Sequence, residues 1–160
     1  MLASEKLRNF MKRKEDETAF LTGAKTFKSY ICPAGRLTIG WGHTGADVHK
    51  DQVITREKAD ELFNKDLSAF EDALNREMGK NNVKLTQGQF DALVDLSYNL
   101  GSSSFFKTTL WQKVVNNDLA GAADEFPKLN KARDKNGNLI VFSGLTKRRR
   151  AERKMFLGGI

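Results

Sequence analysis

Cys32 and His43, a thiol and an imidazole, fall within one short segment, YICPAGRLTIGWGH, which runs from Tyr30 to His43. A thiol beside a base can act as a nucleophile, but that chemistry needs a third group to orient the base. No such group is legible at this spacing, and the plainer reading of Cys32 is an ordinary free thiol at a turn. The glycines around Trp41 follow a strand with no helix start directly behind them, so the run lacks the form of a phosphate cradle. Two histidines and scattered acids, none paired with them at ligand spacing, predict no metal site and no cofactor. A carboxylic acid working beside the segment is what remains. Glu15 is the candidate, because it ends the first predicted helix just before the chain becomes extended.

The elements that must position these groups are mostly helical, and the fold class is α+β. Leu7, Phe10, Met11 and Lys14 follow a 3.6-residue period behind Ser4 as N-cap, which predicts a helix ending near Glu15. From Lys25 to Trp41 the pattern changes, with Leu37, Ile39 and Trp41 alternating against Thr38 and Gly40 as in a strand. Cys32-Pro33-Ala34-Gly35 has the residues of a type I turn, so the segment reads as a hairpin. A long helix is predicted from a Thr55 cap to a stop at Gly79. It carries Asp66 on its apolar face, where an unpaired carboxylate would cost several kcal/mol, so a partner is required. Further helices are predicted behind the capping boxes Thr86-x-x-Gln89, stopping at Gly101, and Thr109-x-x-Gln112. Asp118 caps another that Pro127 closes, and a basic helix ends at Gly158 after the polar turn RDKNGN.

Bulk properties limit what such a chain can do. Its 160 residues are the size of about one domain, and a single cysteine excludes an intramolecular disulfide. The N-terminus MLASEKLRNFMKRKED lacks the apolar core of an export signal, and no run approaches the ~20 apolar residues of a membrane span. Synthesis in the cytoplasm without membrane insertion is therefore expected. The net charge is +7, and TKRRRAERK (Thr146 to Lys154) alone carries six positive charges and one negative. That concentration suits a polyanion, either nucleic acid or a wall polymer, or else a solvated helix face.

With its continuations ITREKADELFNKDL, LTQGQFDALVDLSYNLG and GLTKRRRAER, the opening segment resembles the phage-type muramidases, the family of T-even phage lysozyme and the lambdoid prophage endolysins. The resemblance implies a single lysozyme-like domain over residues 1–160, two-lobed, with a small β-hairpin lobe at about 15–60. A connecting helix would run over about 55–79, and a helical C-terminal lobe over about 80–160 would also take the N-terminal helix 4–14. It implies hydrolysis of peptidoglycan between N-acetylmuramic acid and N-acetylglucosamine, by a monomer that needs a holin or another route to the wall, with no nucleic acid partner.

Position by position, the resemblance makes Glu15 the general acid and Thr38 the residue that positions water. Cys32 stands where T-even phage lysozyme has an aspartate. Asn99 and Arg148 match sugar-contacting positions, and His43 and Asp66 match a structural pair. Glycoside hydrolysis ordinarily uses two carboxylates, and a mostly neutral thiol is a weaker stand-in. Inversion, with water held by Thr38 and Cys32, is the favoured outcome. Between Asp16 and Lys25 the chain carries extra residues that form either a flap or an extension of the first helix, with Gly23 as its cap. An ungapped register would set Gly23 in the acid's place, and the alternative function is then a catalytically impaired module that binds wall or nucleic acid.

Overall fold

The computed structural model describes residues 1–158. The described chain divides into two compact units, one built from Glu5–Ala69 with Arg133–Asn138, the other from the remainder. The fold is α+β and mostly helical. The first helix, expected from the family resemblance to join the helical lobe, lies in the unit built from Glu5–Ala69.

In that strand unit, α1 (Glu5–Glu15) buries Leu7 and Met11, one turn apart. Ser4, just ahead of it, belongs to the other unit, where its N–H and its hydroxyl donate to the Asp91 carboxylate. The chain does not continue α1 into the extra residues. The Asp16 carboxylate accepts the Ala19 N–H at 2.9 Å and starts a separate short helix, α2 (Glu17–Thr22), which Gly23 closes at φ +68. The inserted segment is thus neither a loose flap nor an unbroken extension. Arg56 secures it by donating to the carbonyls of Ala19 and Ala24 at 3.2 and 3.0 Å, a cation meeting the open carbonyls of a helix end.

Strand β1 (Thr26–Lys28) pairs antiparallel with β5 (Val53–Thr55). Strands β2 (Tyr30–Ile31), β3 (Leu37–Ile39) and β4 (His43–Thr44) form a second antiparallel sheet with β3 in the middle. The expected turn joins β2 to β3: the Gly35 N–H donates to the Cys32 carbonyl at 2.8 Å, and the Cys32 N–H to that of Arg36 at 2.9 Å. Gly35 takes φ +80, the left-handed position that follows such a turn in a three-residue hairpin loop.

Helix α3 (Arg56–Lys80) begins as expected, with the Thr55 hydroxyl accepting the Lys58 N–H. It runs through Gly79, the expected stop. Asn82, at φ +52, supplies the left-handed residue instead, and the Val83 N–H closes on the Met78 carbonyl.

The helical unit holds α4 (Gln87–Leu100), with the complete Thr86/Gln89 capping box and Gly101 as its stop, followed by α5 (Ser102–Phe105). The cap of α6 (Thr109–Val115) is Thr108, one residue before the threonine expected from sequence, because its hydroxyl is the one that reaches the Trp111 N–H. Asp118 caps α7 (Leu119–Glu125), and Pro127 lies in the 3-10 turn that follows. Strands β6 (Lys131–Arg133) and β7 (Leu139–Val141) flank the polar turn and lead to α8 (Ser143–Phe156). The core of this unit is Phe90, Leu93, Phe105, Leu110, Trp111, Phe126 and Phe156. Gly88 lets α4 approach α8, because a Cβ there would lie 2.6 Å from the Met155 carbonyl oxygen. No helix of the described residues is long and apolar enough to cross a membrane.

Candidate active site

Two glycines flank a buried tryptophan in Gly40-Trp41-Gly42, and each is needed for a different reason. Gly40, at φ +63, packs against Ala59, where a Cβ would meet the alanine methyl at 3.1 Å. Gly42, at φ +90, lies under the Glu15 carboxylate; a Cβ would come within 2.7 Å of Oε2. Trp41 between them is 1% exposed, and its Nε1–H donates to Asp60 Oδ1 at 2.8 Å. The same oxygen accepts Lys12 Nζ at 2.8 Å, and Lys12 lies one turn before Glu15 on α1. Asp60 therefore ties α1 to the glycine-tryptophan segment. Burial opposes its charge, but the Lys12 and Trp41 hydrogen bonds outweigh burial and hold the carboxyl below its usual range. This link seats Glu15 on Gly42.

Three other side chains share the sheet. Thr38 is 3% exposed, donates to the Arg36 carbonyl at 2.9 Å, and stands opposite Tyr30 in the β2–β3 register. The Arg36 carbonyl also accepts the Cys32 N–H at 2.9 Å, so Cys32 and Thr38 share one backbone acceptor. Burial pushes the Cys32 thiol up, but hydrogen bonds from the Arg36 backbone and Thr38 prevail and its pKa is lowered. The Tyr30 phenol is pushed up to about 12, first by burial and then by the negative charges of Glu15, Asp16 and Cys32. Glu15, Cys32, Thr38 and Tyr30 thus belong to one small polar neighbourhood.

His43, at the start of β4, sits between two carboxylates. Nδ1 is 2.7 Å from Asp66, the expected partner, and Nε2 is 2.9 Å from Asp47. Burial lowers the imidazole pKa, yet the hydrogen bonds that the ring donates to Asp66 and then Asp47 raise it overall.

Asn99 and Arg148 belong to the helical unit. Asn99 is exposed, and its Oδ1 accepts Arg149 Nη2 at 2.8 Å. Arg148 is buried and clasps Asp95 through two bonds, Nε at 2.9 Å and Nη2 at 2.8 Å. Asp95 feels burial, which raises its pKa, but the Arg148 guanidinium brings it down to about 2. Arg149 and Glu152 are completely buried and pair at 2.7 Å. Burial, then the Asp95 charge, pushes Glu152 well above the usual carboxylate range.

Sequence reasoning missed Asp47, Tyr30 and the Arg149–Glu152 pair. Asp47 follows His43 by four residues in a loop, where spacing carries no directional information. The i,i+3 spacing of Arg149 and Glu152 was a usable signal.

The phage lysozyme family pattern matches residues 22–152. The chain belongs to the phage lysozyme family. The matched span begins after Glu15, whose surroundings are known from the fold. The chain is 43% identical over 122 residues to the endolysin of Bacillus phage B103, covering 76% of this chain and 43% of that protein. It is 40% identical over 129 residues to the endolysin of Acyrthosiphon pisum secondary endosymbiont phage 1, covering 81% of this chain and 85% of the relative. This chain therefore spans less than half the length of the first relative and most of the second. Among solved structures, the endolysin from Escherichia coli O157:H7 phage FAHEc1 superposes with a TM-score of 0.83 at 29% identity, covering 100% of this chain and 96% of that one.

Proposed function

We propose that the protein is a peptidoglycan-degrading muramidase that hydrolyses the glycosidic bond between N-acetylmuramic acid and N-acetylglucosamine. The observation that carries this reading is the Glu15 carboxylate lying on Gly42, in the unit where Thr38 and Cys32 share the Arg36 carbonyl as acceptor. Glu15 donates its proton to the leaving glycosidic oxygen. Thr38 and Cys32 hold the attacking water, and a thiol with lowered proton affinity is a better partner for that water than an ordinary one. The product is inverted at the reacting carbon. Asn99 contacts sugar, while Arg148, engaged by Asp95, acts by ordering its own helix. His43 and Asp66 are a structural pair. The protein works on the wall as a monomer, after release through a holin-type route.

A module that merely binds a polyanion through the basic helix is less well supported, because Arg148 and Arg149 of that helix are buried against carboxylates. The decisive experiment follows turbidity of outer-membrane-permeabilised cells with parent protein and Glu15→Gln. Loss of the proton donor lowers the rate roughly a hundredfold or more. Equal rates from two folded proteins would remove Glu15 from the mechanism.

A further inference from the structure

A groove of about 360 Å³ opens beside the Glu15 neighbourhood; Asp16, Ala19, Thr22, Thr26, Lys28 and Tyr30 line it. One wall is the inserted helix α2, and the other is strand β1. The backbone of β1 gives the groove a definite chemistry. The Arg56 N–H donates to the Lys25 carbonyl and the Ser29 N–H to that of Gln52, with Phe27 opposite Ile54 between them. Backbone groups on an antiparallel strand alternate between its two edges. Those of Thr26 and Lys28 therefore face away from β5, toward an edge that no strand of this sheet covers.

We propose that this groove binds the peptide stem carried by muramic acid, a short acidic peptide rich in methyl groups, laid along β1 as an added strand. The proposal rests on the muramidase reading for its ligand. The open amides of Thr26 and Lys28 meet the stem's backbone, as in other cases of strand addition. The methyl groups of Thr22 and Thr26, both exposed residues of the groove, offer apolar contact to alanine side chains. Lys28 meets a stem carboxylate. Its present partner is Asp51 at 3.5 Å, a pair exposed on both sides and so worth little. The Asp16 carboxylate is occupied by the Ala19 N–H. Tyr30 joins the groove to the reacting centre, since its phenol stands in the field of Glu15 and Cys32. On this reading the extra residues after Glu15 build a subsite.

The test measures binding by calorimetry in the Glu15→Gln protein, so that nothing is turned over. The probes are soluble glycan fragments with their peptide stems and the same fragments stripped of stems by an amidase. Lys28→Glu is expected to weaken the stem-bearing fragment about tenfold and to leave the stripped one unchanged. Thr26→Pro, which removes an edge donor without touching the β5 ladder, is expected to do the same. Equal loss for both probes would mean that the groove holds sugar, and no loss for either would mean that it holds nothing; each result overturns the proposal, as does failure of the Glu15→Gln protein to distinguish the two fragments. Hydrolysis by the parent protein reports on the muramidase reading separately. A parent that hydrolyses while Lys28→Glu binds normally loses the groove alone, and an inert parent with stem-selective binding loses the enzyme alone.

Discussion

His43 in the strand unit and Arg149 in the helical unit are both cations set among carboxylates, yet their surroundings differ. The histidine is 12% exposed, and its partners Asp66 and Asp47 are 29% and 61% exposed. Arg149 and Glu152 are both 0% exposed. Water can take over most of what the first cluster loses, and none of what the second loses. The helical unit thus uses charge as part of its core, whereas the strand unit uses charge at its rim and relies on close backbone packing to position its polar groups. Access of the partners to solvent, more than their identity, decides which cluster belongs to the core and which one stays at the rim.

The largest expected effect tests the dry cluster. Arg149→Met deprives Glu152 of its buried cation and Asn99 of its donor, and should cost about 3–5 kcal/mol, read from urea unfolding at neutral pH. Adding Glu152→Leu removes the stranded carboxylate and should recover much of that loss, since apolar replacement of a whole buried pair is often near neutral. A double variant as unstable as the single one would show that the pair is itself net favourable, and the contrast with His43 would then need another basis. A smaller effect on stability is expected at Gly42. An alanine there must adopt a positive φ, costing about 1–2 kcal/mol, and its methyl displaces the Glu15 carboxylate. Turnover should fall further than the melting temperature suggests. A variant that melts early but hydrolyses normally would separate Gly42 from the positioning of Glu15.

The same contrast explains what could be read from the sequence. Local signals that act through one backbone bond were legible: the Thr86/Gln89 box, the Cys32–Gly35 turn, the Thr55 cap, and the end of α1 at Glu15. The inserted segment was not, because Lys14, Thr18 and Leu21 continue the stripe of α1 on paper. The Asp16 cap resets the helix so that Ala19 turns inward and Leu21 remains 63% exposed. The arginine run was opaque for a related reason. Which of three consecutive guanidiniums is buried depends on Asp95 and on Glu152, and only the packed helices bring Asp95 to Arg148. For the site, residue order pointed to Glu15 and the family resemblance to Cys32 and Thr38, while Tyr30 needed the strand register to be seen.

The smallest effect expected concerns the wet cluster, and its sign is fixed by the direction of the shifts. His43 has a raised folded pKa despite its burial, so its ionic contribution is complete below the unfolded value near 6.5. That contribution disappears as pH rises through the higher folded value. Asp47 is lowered, chiefly by its hydrogen bond with His43, so its share is present above the unfolded value and is lost as pH falls through the depressed one. Both contributions operate together between the ordinary carboxylate range and about pH 6.5. His43→Asn should therefore lose about 1 kcal/mol or less at pH 5.5, in keeping with partners open to solvent. At pH 9, as the pH rises through the raised folded value, the loss should shrink toward the neutral hydrogen bonds alone. Thermal melts of parent and variant at the two pH values measure the difference directly. An equal gap at both would mean that His43 contributes by shape and neutral hydrogen bonding, leaving the strand unit without an ionic pair at its rim.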